Sequence, residues 1–244
     1  MSASTLFAIA VIFMVFSHIF HYFLPDQLWL RIPDRISVPV FLVGIGYNTG
    51  QRFQKTIFIG TALVFLMAHI TFGGYFINIL GTILLVRYTI EPLAQFMFKN
   101  KITFWGTHIV LLALYPFSAD IFDYGTLAFI MALAGWINKN GEAVTGHIIK
   151  ASDYFIIASA IYLVCMKIAF GFNMIEMAII AAGLSLTMYL LYHMKTLLLN
   201  SIRHKPTDLI GRSIRFIGHK SLEIYIIHVL FFMGVLYYIE HIKA

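Results

Sequence analysis

The sequence is poor in charge and almost free of cysteine. Lys, Arg, Asp and Glu make up 11% of the 244 residues, against about 25% in a soluble domain. So few charges cannot cover a water-facing surface, which excludes a soluble enzyme or binding module. The single cysteine, Cys165, rules out an intrachain disulfide. It lies in an apolar run with nothing nearby to lower its pKa, which points to packing rather than to a nucleophile. Zinc-type Cys/His spacings, a P-loop and a dinucleotide fingerprint are all missing. The first apolar segment lacks a basic leader and a small-x-small cleavage site, so it reads as a retained helix rather than a signal peptide.

What the chain does have is apolar length. Hydrophobic residues make up 60% of it and the mean hydropathy is +0.85. Apolar runs recur throughout, each near the ~20 residues a helix needs to cross the hydrocarbon core. The pattern predicts an all-α polytopic transmembrane bundle of about nine spans, near 4–24, 35–50, 55–73, 75–98, 102–117, 121–138, 152–172, 174–199 and 221–241. The second and fifth are short enough to be tilted, broken or re-entrant. No internal repeat or domain boundary interrupts residues 1–244.

The net charge of +6 would suggest nucleic acid in a soluble protein. Here Lys and Arg gather in short connections: Arg52 with Lys55, Lys99 with Lys101, Lys139 with Lys150, and Arg203 to Lys220. These alternate with connections poor in basic residues, as nine crossings require. The alternation is an orientation signal that places the N-terminus in the cytoplasm and gives nucleic acid no role.

Ionisable residues inside spans call for an explanation, because burying them in lipid is expensive. His18 and His21 lie three apart on one face of the first span, with Tyr22 one turn beyond His18. A neutral imidazole there can act as a general base, or simply hydrogen-bond within the bundle. No third ligand accompanies the pair, so no metal is expected. Arg35, beside Asp34 at the mouth of the second span, could hold a negative charge or pair with Asp34. Pro39, placed early in that span, costs no hydrogen bond there, and Gly44 and Gly46 permit close helix packing. Arg87 and Glu91, one turn apart in the fourth span, are expected to pair. Asn78 in the same span falls on the opposite face from Arg87 if that helix is straight. Ser221, Tyr225 and His228 follow i, i+4, i+7 spacing and form one polar stripe on the last span. His69 and His193 lie near predicted span ends and read as structural, and His108 and Lys167 carry no assigned role.

Taken in order, these segments form a pattern. FAIAVIFMVFSHIFHYF, PDRISVPVFLVGIGYNTGQR, YFINILGTILLVRYTIEP, FDYGTLAFIMALAGW and HKSLEIYIIHVL follow one another along most of the chain. They resemble the opening histidine helix, the R-x-x-x-P-x-F block, the L-N-I-like segment, the Y-G helix and the closing Y-x-x-H helix of the TraX family. The closing G-x-x-S-x-x-x-Y-x-x-H also resembles acyltransferase family 3. Two positions depart from those patterns. Ser17 stands where an aspartate precedes the histidine, and Phe7 where acyltransferase family 3 carries a basic residue.

The resemblance implies an integral acetyltransferase of the bacterial inner membrane, with cytoplasmic acetyl-CoA as donor and an envelope acceptor. For TraX that acceptor is the N-terminal amine of a conjugative pilin. The residues it carries over are His18, Arg35, Pro39, Phe41, Asn78, Tyr124, Gly125 and His228. His18 is expected as the general base, Arg35 or Asn78 as oxyanion donors, and His228 as a second acid/base or an orienting group. Arg87, Glu91, Tyr124 and Tyr225 are expected around the substrates, and Arg52 and Lys55, with Lys99, Lys101, Arg212 and Arg215, near the CoA phosphates. O-acetylation of a glycan, a proton-coupled transporter and a non-catalytic pilus assembly factor are the competing readings.

Overall fold

A computed structural model describes residues 1–48, 55–73, 77–141, 145, 148–203 and 208–241. These residues form eleven α-helices: α1 (Ala3–Phe23), α2 (Ile32–Tyr47), α3 (Lys55–Phe72), α4 (Ile79–Met97), α5 (Lys101–Ala119), α6 (Leu127–Asn140), α7 (Ala151–Phe170), α8 (Met174–Tyr192), α9 (Met194–Arg203), α10 (Leu209–His219) and α11 (Ser221–His241). A 3-10 turn at Leu28–Arg31 leads into α2. The all-helical bundle expected from the apolar pattern is present.

Six helices, α1, α3, α5, α7, α8 and α11, are long and apolar enough to cross a membrane. Their outward faces carry the side chains a soluble protein hides. Ile102, Ile109 and Phe117 on α5, Ile168 on α7 and Phe231 on α11 are all exposed. Lipid solvates such faces, and a helix satisfies its own backbone groups inside hydrocarbon. The remaining three long helices are different. α2 has 16 residues and α6 has 14, and α4 carries Arg87 and Glu91. α2 and α6 are also the most enclosed, with nearly every α6 residue from Leu127 to Ile137 buried.

The α2–α6 crossing shows why small residues stand there. A Cβ on Gly46 would lie 1.7 Å from the Ala132 carbonyl oxygen, and one on Gly135 would lie 1.9 Å from that of Val43. Backbone meets backbone at both points, so no side chain fits between.

Three boundaries differ from the sequence reading. The expected span 174–199 is two helices, α8 and α9, separated at His193, which caps α8. The span expected from 121 starts only at Leu127, because 120–126 is a turn with positive φ at Tyr124 (63°) and Gly125 (46°). And α2 starts at Ile32, which places Pro39 in the helix interior rather than near its start. An interior proline leaves the carbonyl four residues back without its N–H donor. That carbonyl belongs to Arg35, and the Tyr162 hydroxyl of α7 donates to it at 2.7 Å.

Capping side chains end the helices where the sequence turns polar. Asn78 caps α4, Asn100 with Thr103 forms a capping box on α5, and Asn173 with Glu176 forms another on α8. Gly171, left-handed at φ 66°, ends α7, and Lys167 donates to the Phe172 carbonyl just beyond it. The short helices α9 and α10 lie against the start of α1. Ala3 N donates to Ser201 Oγ at 2.9 Å, and Gly218 packs onto the Ser4 carbonyl. Among the described residues this end of the bundle carries the basic side chains Lys195, Arg212, Arg215 and Lys220, and Asn78, Asp123 and Arg31 sit at the other.

Candidate functional site

A cavity of about 480 Å³ runs between α1, α2, α3, α4, α11 and the 120–126 turn. Its lining includes Asn48 and Ser221 at the basic end and Arg31, Asn78 and Asp123 at the opposite end, so it extends through the bundle. Apolar side chains such as Phe7, Phe41 and Ile57 form much of its wall.

His18 sits in that wall on α1. Its Nδ1 lies 2.8 Å from Nε2 of His228 on α11, and Nδ1 of His228 lies 2.7 Å from the Ile224 carbonyl oxygen. A carbonyl can only accept, so Nδ1 of His228 carries the proton. A neutral imidazole has a single N–H, which makes Nε2 of His228 an acceptor and Nδ1 of His18 its donor. The lone pair of His18 therefore rests on Nε2, which has no hydrogen-bond partner among the described residues. Tyr225 and Tyr22 fix the imidazole from two sides, with ring centroids 5.8 and 6.1 Å from it. The polar stripe on α11 thus has two outcomes. Ser221 and Tyr225 line the cavity, and His228 reaches it through His18.

Arg35 lines the cavity from α2 with its charge held on several sides. It bonds the Tyr124 hydroxyl, lies 3.4 Å from Asp34 Oδ2 and stacks 4.2 Å above the Phe170 ring. Together these offset the desolvation of a buried guanidinium. Tyr124 gets there because the left-handed pair Tyr124–Gly125 reverses the chain before α6. A Cβ on Gly125 would come within 2.8 Å of Ala119 N.

Two buried donors of these residues have no partner among the described residues, Nε of Arg35 and Nδ2 of Asn78. Asn78 spends its oxygen on the α4 N-terminus, accepting from Leu80 N at 2.9 Å and Gly81 N at 3.4 Å. Its buried amide nitrogen has no hydrogen-bond partner among the described residues. Asn78 precedes the helix, with extended backbone (ψ 172°), so the helical phase that opposes it to Arg87 does not apply. Both residues line the cavity.

The other expected residues separate. Glu91 does not line the cavity. It accepts from Trp136 Nε1 at 2.8 Å and Gln95 Nε2 at 3.4 Å, so α6 and its own helix hold it rather than Arg87. Lys55 is exposed at the start of α3, and Arg52 lies outside the described residues. Lys99 and Lys101 are exposed, and Arg215 lines a second recess of about 390 Å³ at the basic end. His108 bonds the Phe104 carbonyl and the Tyr154 hydroxyl, both at 2.9 Å, away from the cavity.

Asp123 was not singled out by sequence. It lines the cavity from the turn, and burial followed by the field of Asp34 pushes its carboxyl up to about 7, against the pull of Arg35. Its only sequence signal is its place before Tyr124–Gly125. Among the described residues no group of three or more His, Cys, Asp and Glu could hold a metal ion.

No protein-family model matches the chain, and no solved structure matches it. An uncharacterized protein of Rickettsia prowazekii (strain Madrid E) is 30% identical over 137 residues, a stretch that covers 54% of this chain and 54% of that protein. The chain therefore spans about half the length of the relative it matches.

Proposed function

We propose that the chain is an integral membrane acetyltransferase that carries an acetyl group from cytoplasmic acetyl-CoA to an acceptor on the other side of the inner membrane. The resemblance to the TraX family favours the N-terminal amine of a conjugative pilin subunit as that acceptor. Counting α2, α4 and α6 with the six apolar helices gives nine crossings. With the basic connections inside, the N-terminus is then cytoplasmic.

The observation that carries this reading is the His18–His228 hydrogen bond in the wall of a cavity that reaches both ends of the bundle. A two-ended cavity lets a donor and an acceptor from opposite compartments meet without either crossing. The donated hydrogen bond to His228 leaves His18 with a basic nitrogen, the role for which an α-amine with a pKa of about 8 needs a partner at neutral pH. His18 takes a proton from the acceptor ammonium. The freed nitrogen lone pair attacks the thioester carbonyl carbon, a C–N bond forms and the C–S bond breaks. The thiolate leaves and receives the proton from His18. The freed His18 then takes the second proton from the acylated nitrogen and releases it to solvent, which leaves the neutral amide.

The residues present suit a thioester. Nε of Arg35 and Nδ2 of Asn78, buried donors without a partner among the described residues, are the candidates to bind a developing oxyanion. Of the cations offered for the CoA phosphates, Arg215 lines the recess at the basic end, and Arg87, expected around the substrates, lines the cavity itself.

The test uses the purified chain in detergent, labelled acetyl-CoA and a peptide with a free N-terminus, read by intact mass. Wild type acetylates the peptide. His18→Ala elutes as a folded protein and loses transfer by about 10²–10⁴-fold. Undiminished transfer by that variant would overturn the assignment, and label moving only to a hydroxyl-bearing glycan would make the enzyme an O-acetyltransferase.

A further inference from the structure

We propose that the end of the cavity away from the basic connections is a recognition site for a primary ammonium group, with the Asp123 carboxylate as its counter-ion. This rests on the acetyltransferase reading and specifies its acceptor as a charged amine rather than a hydroxyl.

Two carboxylates, Asp34 and Asp123, face this end of the cavity. Asp34 is committed, since Arg35 approaches its Oδ2 at 3.4 Å and the Tyr124 hydroxyl donates to the same oxygen. Asp123 lines the same cavity but forms no ion pair among the described residues. Its backbone is tied down on both sides. Asp123 N donates to the Ile77 carbonyl at 3.0 Å, and its own carbonyl accepts from Thr82 Oγ1 at 2.9 Å. The side chain is thus held in the wall by a braced turn rather than left on a mobile loop.

A carboxylate in a partly desolvated wall is costly unless a cation joins it. The protein supplies one cation to Asp34 and leaves Asp123 for a ligand. Asp123 shares the cavity wall with His18 and with Tyr22 and Tyr225, the two rings that pack around that imidazole. An ammonium held at Asp123 therefore occupies the same cavity as the His18 base. A neutral hydroxyl acceptor would leave this carboxylate uncompensated, which builds discrimination against it into the site.

Asp123 also has a structural duty, because the Ile79 N–H at the start of α4 supports its carboxylate. The experiment separates the two roles. Binding of a short peptide amide with a free α-amine is compared with binding of its desamino counterpart, by thermophoresis on the purified chain without acetyl-CoA. Wild type is expected to favour the amine roughly thirtyfold. In Asp123→Asn the preference falls to about twofold or less while desamino binding is unchanged, and Asp123→Glu recovers part of it. Equal binding of both peptides by wild type overturns the proposal, even if no Asp123 variant folds. So does a preference that survives Asp123→Asn. The outcome is independent of the chemistry: amine preference without acetyl transfer retains the site and refutes the acetyltransferase, and transfer to hydroxyls alone does the reverse.

Discussion

Nδ1 of His18 lies 2.8 Å from Nε2 of His228, joining residues 210 positions apart. The carbonyl of Ile224 sets the direction of the whole relay by accepting from the far nitrogen of His228. In the patterns this chain resembles, an aspartate precedes the first histidine, and here that place is taken by Ser17. The second histidine now does from across the bundle what a neighbouring carboxylate would do, which is to hold the tautomer that leaves Nε2 of His18 basic.

On the proposed function, His228 is a positioning residue. His228→Ala should slow acetyl transfer by roughly 10–100-fold, the scale on which loss of an orienting partner weakens a functional imidazole. Nitrogen NMR of histidine-labelled protein should show His228 protonated at Nδ1 in wild type and a mixture of His18 tautomers in the variant. A loss as large as that of His18→Ala would instead place His228 in the proton transfer itself.

Asn78 allows its two duties to be separated. Asn78→Asp keeps an oxygen for the α4 N-terminus but removes the amide donor. The thermal midpoint should hold while transfer falls by about 10²-fold or more. Asn78→Ala should lose the cap as well and destabilise the bundle by about 1 kcal/mol. Retained transfer in Asn78→Asp would assign oxyanion binding to Arg35 alone.

The Tyr162 hydroxyl replaces the donor that Pro39 lacks. Tyr162→Phe leaves the buried Arg35 carbonyl unsatisfied and should cost about 1–3 kcal/mol. Adding Pro39→Ala restores a backbone N–H to the same carbonyl, so the double variant should recover part of that loss. Additive losses in a denaturation series in mixed micelles would show that the hydroxyl stabilises the bundle by some other route.

Glycine has different meanings at different helix positions. Gly46→Ala and Gly135→Ala each force α2 and α6 apart and should destabilise by about 1–3 kcal/mol. Gly106 on α5 has open space where a Cβ would go. Gly106→Ala should be neutral or stabilising by about 0.5–1 kcal/mol. Thermal melts of the three variants in one detergent check the ordering.

Amine recognition should depend on pH. Burial places the Asp123 carboxyl near 7, so it is neutral in acid and gains its charge as pH rises through that value. The α-amine loses its charge above about 8. Preference for the amine peptide should therefore peak between the two and fall on either side. The charged and titratable groups around Asp123 are Tyr124 of the same turn, Asp34 and Arg35 from α2, Tyr22 from α1 and Tyr225 from α11. Arg35 stays charged throughout this range, and the paired Asp34 remains in Asp123→Asn. That variant should therefore lose the acidic limb, as binding titrations between pH 5 and 9 would register.

The membrane-embedded helical bundle was legible in the sequence because it rests on quantities local to each segment, namely apolar run length and the clustering of Lys and Arg. His18, Arg35 and Tyr225 could be singled out for the same reason, since a polar side chain in an apolar run is conspicuous without knowing its neighbours. Tertiary structure decided how they are used. The partner of His18 comes from the last helix, the hydroxyl serving the Arg35 carbonyl comes from α7, and Glu91 turns to Trp136 instead of Arg87. Asn78 escapes the helical phase because capping starts the helix one residue later, which periodicity alone does not reveal. Asp123 is an ordinary turn residue by sequence, and only the packing of α1, α2 and α11 around that turn makes it part of a cavity wall. Composition and periodicity report how each segment meets its solvent, whereas hydrogen-bond partners are set by contacts between segments far apart in the chain.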